Sequence, residues 1–170
     1  MADEFPQAFK RYCEGLMYYC KSVTWTSYFE GKVKFKTEPD DEEERDATKA
    51  QIHINTVYSY YSVRVSKFLV EHWEEKDYEY CGHAIMHEHC HILVEPLARL
   101  SKMGCTPSQD WMGKEIVEQT VERIARALED RLPKNWFLPE HIEEWAEKVG
   151  AAIITPKLKR SRRYHDRKTY

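Results

Sequence analysis

The chain lacks several features that would place it in a special class of protein. No apolar run approaches the ~18 residues that a bilayer-spanning helix needs. Residues 1–6 are acidic and lack the basic and apolar regions of a secretory signal. The chain shows no disulfide framework in its cysteines, which are odd in number and scattered (Cys13, Cys20, Cys81, Cys90 and Cys105). We therefore expect a cytoplasmic protein with no membrane partner.

The chain also lacks a dominant charge. Its net charge of -3 gives no whole-chain indication of nucleic-acid binding. The charges are uneven, however, with seven acidic residues in 38–46 and seven basic residues in 157–168. The acidic run is typical of a mobile surface loop. The basic run is typical of a solvated tail, and contact with nucleic acid is the alternative interpretation.

What the 170 residues do contain is enough apolar sequence, 42%, for one real core. Hydrophobic spacing predicts a helix over residues 8–23, a turn and helix over 63–73, and a helix that Asp77 caps and that Pro96 bends or ends. A clean apolar stripe predicts a long helix over 109–130, and a short helix is expected after Pro139. Alternating and β-branched residues predict strands over 24–30, 32–36, 50–55 and 151–155, with a break at Gly31.

One short motif carries chemistry. Residues 87–91 fit the pattern H-E-x-x-H within the third predicted helix. Residues four apart share a helix face, so His87 and His91 can direct their imidazoles at one metal ion. Glu88 lies beside them, where it can reach a water molecule on that ion. The motif predicts a metal site, and the competing interpretation is a histidine-rich helix face without metal.

The neighbouring histidines and the cysteine are expected to do other things. The helix rise of ~1.5 Å per residue separates His83 from His91 by ~12 Å, so both cannot bind one ion. We expect His83 to lie behind the ligands or at the surface. His89 and Cys90 point to other faces, and Cys90 is expected to be a small buried side chain.

A catalytic zinc ion keeps three protein ligands, so one more is needed. Candidates on the long helix are Glu115, Glu118 and Glu122. At 100° per residue, Glu118 lies about 90° from the centre of the apolar stripe, against about 130° for Glu122 and about 150° for Glu115. Glu118 is therefore the predicted third ligand, and the other two are expected to face solvent. Glu95, four residues after His91, is not expected to reach the same ion.

The region around the motif resembles a known family. Residues 80–100, with His87, Glu88 and His91, resemble the H-E-x-x-H helix of small single-domain zinc metallopeptidases found in phages and mobile elements. Residues 118–128 are similar to the E-x-x-A-x-x-F-A-x-x-L helix of the ImmA/IrrE-type peptidases, which cleave repressors, and its leading glutamate matches Glu118. The resemblance covers residues 25–128. His89 and Cys90 depart from it, because the family has aliphatic residues there, and the chain beyond Pro133 has no match.

The resemblance implies a fold as well as a site. It implies an α+β, minimal zincin-like domain over residues 1–132, with a small, mostly antiparallel sheet packed on the H-E-x-x-H helix and on a second ligand-bearing helix. Residues 133–170 would form a C-terminal extension with a short helix and the basic tail.

The expected function is zinc-dependent hydrolysis of peptide bonds in a protein or peptide substrate. His87, His91 and Glu118 would hold Zn²⁺, and Glu88 would act as general base. His83, Tyr78 and Tyr80 are equally placed candidates to stabilise the oxyanion. Two alternatives stay open: a metal-binding adaptor without turnover that meets nucleic acid through its basic tail, and a zinc hydrolase acting on another kind of bond.

Overall fold

The computed structural model describes residues 5–24, 26, 30–35, 50–55, 60–104 and 110–148. This part of the chain is α+β, as predicted, with five helices and a three-stranded sheet. The elements in chain order are α1 (Gln7–Val23), β1 (Glu30–Phe35), β2 (Ala50–Asn55), β3 (Tyr60–Val65), α2 (Lys67–Glu74), α3 (Tyr78–Gly104), α4 (Asp110–Glu129) and α5 (139–148). None of the described helices is long and apolar enough to cross a membrane. The acidic run over 38–46, the predicted strand over 151–155 and the basic tail lie outside the described residues.

The sheet is mixed rather than mostly antiparallel, which corrects the prediction. Its strand order is β1-β3-β2, with β3 antiparallel to β2 and parallel to β1. Strands β2 and β3 are separated by only four residues, a length that suits an antiparallel connection. Strand β3 inserts between its two predecessors and runs parallel to β1. This order leaves β2 as an edge strand.

Strand β1 runs through Gly31, where a break was predicted. Gly31 pairs with Tyr61 on β3, and the tyrosine ring lies over the glycine. A Cβ atom at Gly31 would lie 2.3 Å from Cζ of Tyr61. Glycine is therefore required here by close packing rather than by a turn. Of the strand predicted over 24–30, Thr24 instead caps the end of α1, and residue 30 begins β1. Residues 25 and 27–29 lie outside the described part of the chain.

The helix predicted from residue 63 begins later, because residues 60–65 form β3. Val63 and Val65 are fully buried in this central strand. Their pairing with strands on both sides overrides the helical spacing that they share with Phe68 and Leu69. Helix α2 then starts at Lys67.

Helix α3 begins as predicted, and of the two outcomes expected at Pro96, a bend or an end, it does not end there. The side chain of Asp77 accepts a hydrogen bond from the Tyr80 N–H at 3.3 Å, which caps the first turn. Pro96 lies inside the helix, which continues to Gly104. A proline in a helix interior costs about 3 kcal/mol. Burial of Val94 and Ala98 on either side of it offsets this cost.

The core lies between the sheet and the helices. Helices α1 and α3 run in the same direction, since Cys13 lies near Cys81 and Cys20 lies near Cys90. The rings of Tyr12 and Tyr78 are tilted against each other, with centroids 6.0 Å apart. The Tyr12 hydroxyl donates a hydrogen bond to the Phe137 carbonyl at 2.8 Å. Trp136 and Ile142 are buried in this same core. The described part of the predicted C-terminal extension thus packs onto the rest of the chain.

The contact at Gly31 makes a stability prediction. Gly31→Ala should lower the free energy of unfolding by about 1–3 kcal/mol, because the added methyl group overlaps the Tyr61 ring. Lys34→Ala, on an exposed position of the same strand, should change it by less than about 0.5 kcal/mol. Urea unfolding followed by circular dichroism measures both, and equal effects of the two variants would contradict the packing argument.

Candidate metal centre

Helix α3 divides the motif between two faces. His89 and Cys90 point away from the other two histidines, as predicted, and both are fully buried, which was predicted for Cys90 alone. His87 and His91 lie half-buried on the opposite side, with ring centroids 5.2 Å apart. The i, i+4 spacing therefore brings both imidazoles to one face of the helix.

The buried face is fixed by a hydrogen bond. His89 Nε2 lies 2.8 Å from the hydroxyl of Tyr61, and the two rings meet edge to face. Burial lowers the pKa of His89 to about 3, so this imidazole is neutral in the folded protein. The bond ties α3 to the central strand β3 at the residue between Glu88 and Cys90.

Helix α4 runs antiparallel to α3 and brings Glu118 to both histidines. Its Oε2 atom lies 3.3 Å from His87 Nε2, and its Oε1 atom lies 3.6 Å from His91 Nε2. Ligand atoms of all three residues lie within 4.8 Å of one another. The structure thus brings together the three residues that the sequence singled out as metal ligands.

These separations fit a single ion. Two ligand atoms held ~2.1 Å from one tetrahedral ion are ~3.4 Å apart. The observed 3.3 and 3.6 Å match this value and are long for hydrogen bonds between nitrogen and oxygen. Burial also lowers the pKa of His91, although Glu118 opposes the shift, and the neutral imidazole that results is the form that binds metal. Two imidazoles and one carboxylate are a donor set that suits zinc.

The structure places Glu118 beside both histidines, as the facing argument expected, but that argument ranked the other two glutamates incompletely. Glu115 is exposed and bonds Gln119 on its own helix, as expected for a solvated position. Glu122 was expected to face solvent, yet its side chain is less exposed than that of Glu118, 41% against 58%. Its Oε2 atom lies 3.0 Å from His87 Nδ1.

Glu122 fixes the proton on His87. Partial burial works to raise the pKa of Glu122, but hydrogen bonds from His87 and Arg126 outweigh it, so the pKa lies below its ordinary value and the carboxylate is ionised. An ionised carboxylate can only accept a hydrogen bond, so His87 carries its proton on Nδ1. In the neutral ring, Nε2 is then the nitrogen with the lone pair, and this nitrogen faces Glu118. A carboxylate behind a ligating histidine typically orients the ring and raises its basicity.

His83 extends the same pattern by one turn. Its Nδ1 atom lies 2.9 Å from Glu129 Oε1, and its Nε2 atom lies 3.2 Å from Glu122 Oε2. The hydrogen bond to Glu129 raises the pKa of His83. Sequence reasoning placed His83 behind the ligands but missed Glu122 and Glu129 as its partners. The contact with Glu122 could have been predicted, because the histidines on α3 and the pair Glu118 and Glu122 on α4 share the same spacing of four residues.

Glu88 lies between helix α3 and the edge strand. Its Oε2 atom accepts a hydrogen bond from the Ile52 N–H at 2.8 Å. Burial raises the pKa of Glu88 to about 8, Glu118 adds to the shift, and the Ile52 N–H opposes it. A cation held by the neighbouring ligands would lower this pKa, since it favours the ionised form.

An open cleft of about 740 Å³ surrounds these groups. Residues 50–54 of β2 form one wall, and side chains from α3 and α4 form the rest (Tyr80, His83, Ala84, His87, Glu88, His91, Glu95 and Glu118). Of the three residues considered for the oxyanion, Tyr80 and His83 line the cleft, while Tyr78 packs against Tyr12. Glu95 lines it too, in an ion pair with Arg99 at 2.7 Å.

Comparison of the chain with protein-family models, with curated proteins and with solved structures found no match. The resemblance to zinc metallopeptidases of phages therefore stays a prediction, and the site is interpreted from its own geometry.

The contact between Glu122 and His87 predicts an effect on metal affinity. Glu122→Ala should raise the zinc dissociation constant about 10–100-fold, because the ring of His87 loses the acceptor that orients it. Glu115→Ala, on an exposed position of the same helix, should leave the constant unchanged. Competition with a chromophoric chelator measures both, and equal constants for the two variants would remove the assigned role.

The buried His89 predicts a dependence of stability on pH. The unfolded chain gains a proton on this residue below about pH 6.5, whereas the folded protein does not until about pH 3. Its contribution to stability is thus complete above pH 6.5 and falls by up to about 1.4 kcal/mol per pH unit below it.

Denaturant unfolding at several pH values between 6 and 4 tests this expectation. The double variant Tyr61→Phe/His89→Leu should lose that part of the slope, and Tyr61→Phe alone should keep it. A double variant with the wild-type slope would show that His89 does not cause the acid sensitivity.

Proposed function

We propose that the protein is a zinc-dependent peptidase that uses Glu88 as its general base. The observation that carries the proposal is the convergence of His87, His91 and Glu118 at the spacing of zinc ligands, with Glu88 beside them in one cleft. Nε2 of each histidine and the carboxylate of Glu118 would hold the ion. A zinc ion bound there supplies a positive charge opposite a substrate carbonyl and lowers the pKa of water to ~7.

Glu88 moves the proton in this mechanism. Its Oε2 atom accepts a hydrogen bond from the Ile52 N–H, and Oε1 remains to take part in the reaction. Oε1 would take a proton from the attacking water and deliver it to the leaving amine. Burial raises the pKa of Glu88, and a cation held by the neighbouring ligands would lower it again, so that the carboxylate would be ionised and able to accept the proton.

The edge strand supports a peptide as substrate. Among the residues that the structure describes, strand β2 pairs with β3 alone, and residues 50–54 form one wall of the cleft. An extended peptide lying along this edge would gain main-chain hydrogen bonds and place a carbonyl beside Glu88. Tyr80 and His83 line the same cleft and are the candidates that stabilise the oxyanion.

The position of Glu88 also favours turnover over a purely structural metal site. A structural site needs its ligands but has no use for a base, and a buried carboxylate is costly unless it serves a purpose. The nucleic-acid contact in the adaptor alternative relied on the basic tail, which lies outside the described residues. The adaptor itself stays the alternative, since the same ligands would serve a metal site without turnover.

Substitutions should separate metal binding from catalysis. Glu88→Gln should lower the rate of peptide cleavage by at least about 100-fold with zinc still bound, because the amide keeps the shape of the side chain but cannot take a proton. His91→Ala and Glu118→Ala should weaken zinc binding itself, since each removes one ligand.

The measurements are metal content and a screen of cleaved peptides from a cell extract, comparing the wild type with Glu88→Gln. Products that appear with the wild type and not with the variant support the proposal. Identical products from both proteins would exclude Glu88 as the base, and full zinc occupancy in Glu118→Ala would exclude Glu118 as a ligand.

A further inference from the structure

The seam between α3 and α4 repeats one arrangement at successive helical turns. At the first turn, Nδ1 of His87 bonds Glu122 at 3.0 Å, and Nε2 faces Glu118 at 3.3 Å. At the next turn, Nδ1 of His83 bonds Glu129 at 2.9 Å, and Nε2 faces Glu122 at 3.2 Å. In His87 and in His83, Nδ1 thus contacts one carboxylate of α4, and Nε2 contacts the carboxylate that precedes it in this series along α4.

This repetition gives His83 the chemistry of a ligand. A carboxylate that accepts from one ring nitrogen orients the other nitrogen for metal binding. Because Glu129 also raises the pKa of His83, an ion that binds at Nε2 must displace a proton from it. Glu129, with 14% of its side chain exposed, plays this anchoring part for His83. Ligand atoms of His83, His87 and Glu122 also lie within 4.8 Å of one another.

We propose that His83 Nε2 and the carboxylate of Glu122 form a second site for a divalent transition cation such as Zn²⁺, one helical turn along the seam. His87 cannot serve both ions fully, because its Nε2 atom is committed to the first. The second ion therefore has two protein ligands with water completing its shell, and it binds more weakly than the first.

The two sites are coupled through Glu122. An ion on Glu122 competes with the hydrogen bond that orients His87, and loss of such a bond weakens a metal site about 10–100-fold. Filling the second site should weaken the first by this factor, and the reverse holds by reciprocity. His83 lines the cleft and Glu122 does not, so the second ion would lie at the margin of the cleft, beside the first site. Excess zinc would therefore weaken the binding of zinc at the first site.

The test is a calorimetric titration of the full chain with Zn²⁺ alone. The wild type should bind two equivalents, the second at least about tenfold more weakly than the first. His83→Gln should bind one equivalent with the affinity of the wild-type first site, and that retained affinity shows that the variant is folded. His53→Gln, which removes an exposed histidine from the wall of the cleft, should still bind two.

Three results would overturn the proposal. These are saturation of the wild type at one equivalent of zinc, retention of both equivalents by His83→Gln, and loss of the tight equivalent as well in His83→Gln. Peptide cleavage has no part in this titration, so a failure of the proposed peptidase activity would leave the result intact. Conversely, His91→Ala should remove the tight equivalent and keep the weak one, which separates the two sites.

Discussion

The rotation of α3 about its own axis is the constraint on which the site depends. Side-chain directions around an α-helix are fixed relative to one another. The residues that are turned to the core therefore determine which residues lie on the opposite face. His89 sets that rotation, because its ring is fully buried and bonded to Tyr61 of the central strand. Tyr61 in turn occupies the space that Gly31 leaves open in β1. The orientation of His87 and His91 is therefore supported by packing two elements away.

The second constraint is the charge along the seam. Glu118, Glu122 and Glu129 lie along one side of α4, and like charges at this spacing repel one another. His83, His87 and Arg126 approach these carboxylates and reduce the repulsion. Part of the carboxylate charge still faces the cleft at Glu118. Such a site is assembled before a cation arrives, so little reorganisation opposes binding.

How far the sequence predicts this site depends on the distance along the chain between its parts. His87, Glu88 and His91 follow from helix geometry within five residues. Glu118 follows from the angle between it and the apolar stripe, but the same argument misplaced Glu122. The seam lies to one side of the stripe, where Val121 and Ala125 are buried, and both carboxylates reach it. That offset depends on how the two helices pack, which no single helix reveals.

The parts of the fold that could not be predicted are also those set by packing between elements. The direction of β1 depends on the insertion of β3 beside it, and local alternation carries no information about that order. The passage of α3 through Pro96 depends on burial on both sides of the proline. The contact between Glu88 and Ile52 joins residues 36 positions apart and involves a backbone atom.

This last contact has a consequence for how the protein can change over evolution. The Ile52 N–H belongs to the main chain, and every residue except proline supplies the same donor. The side chain at position 52 can therefore vary with the packing beneath the sheet while the carboxylate of Glu88 keeps its place. Sequence variation along β2 would reveal little of its part in the site, since the group that matters there is common to nineteen of the twenty amino acids.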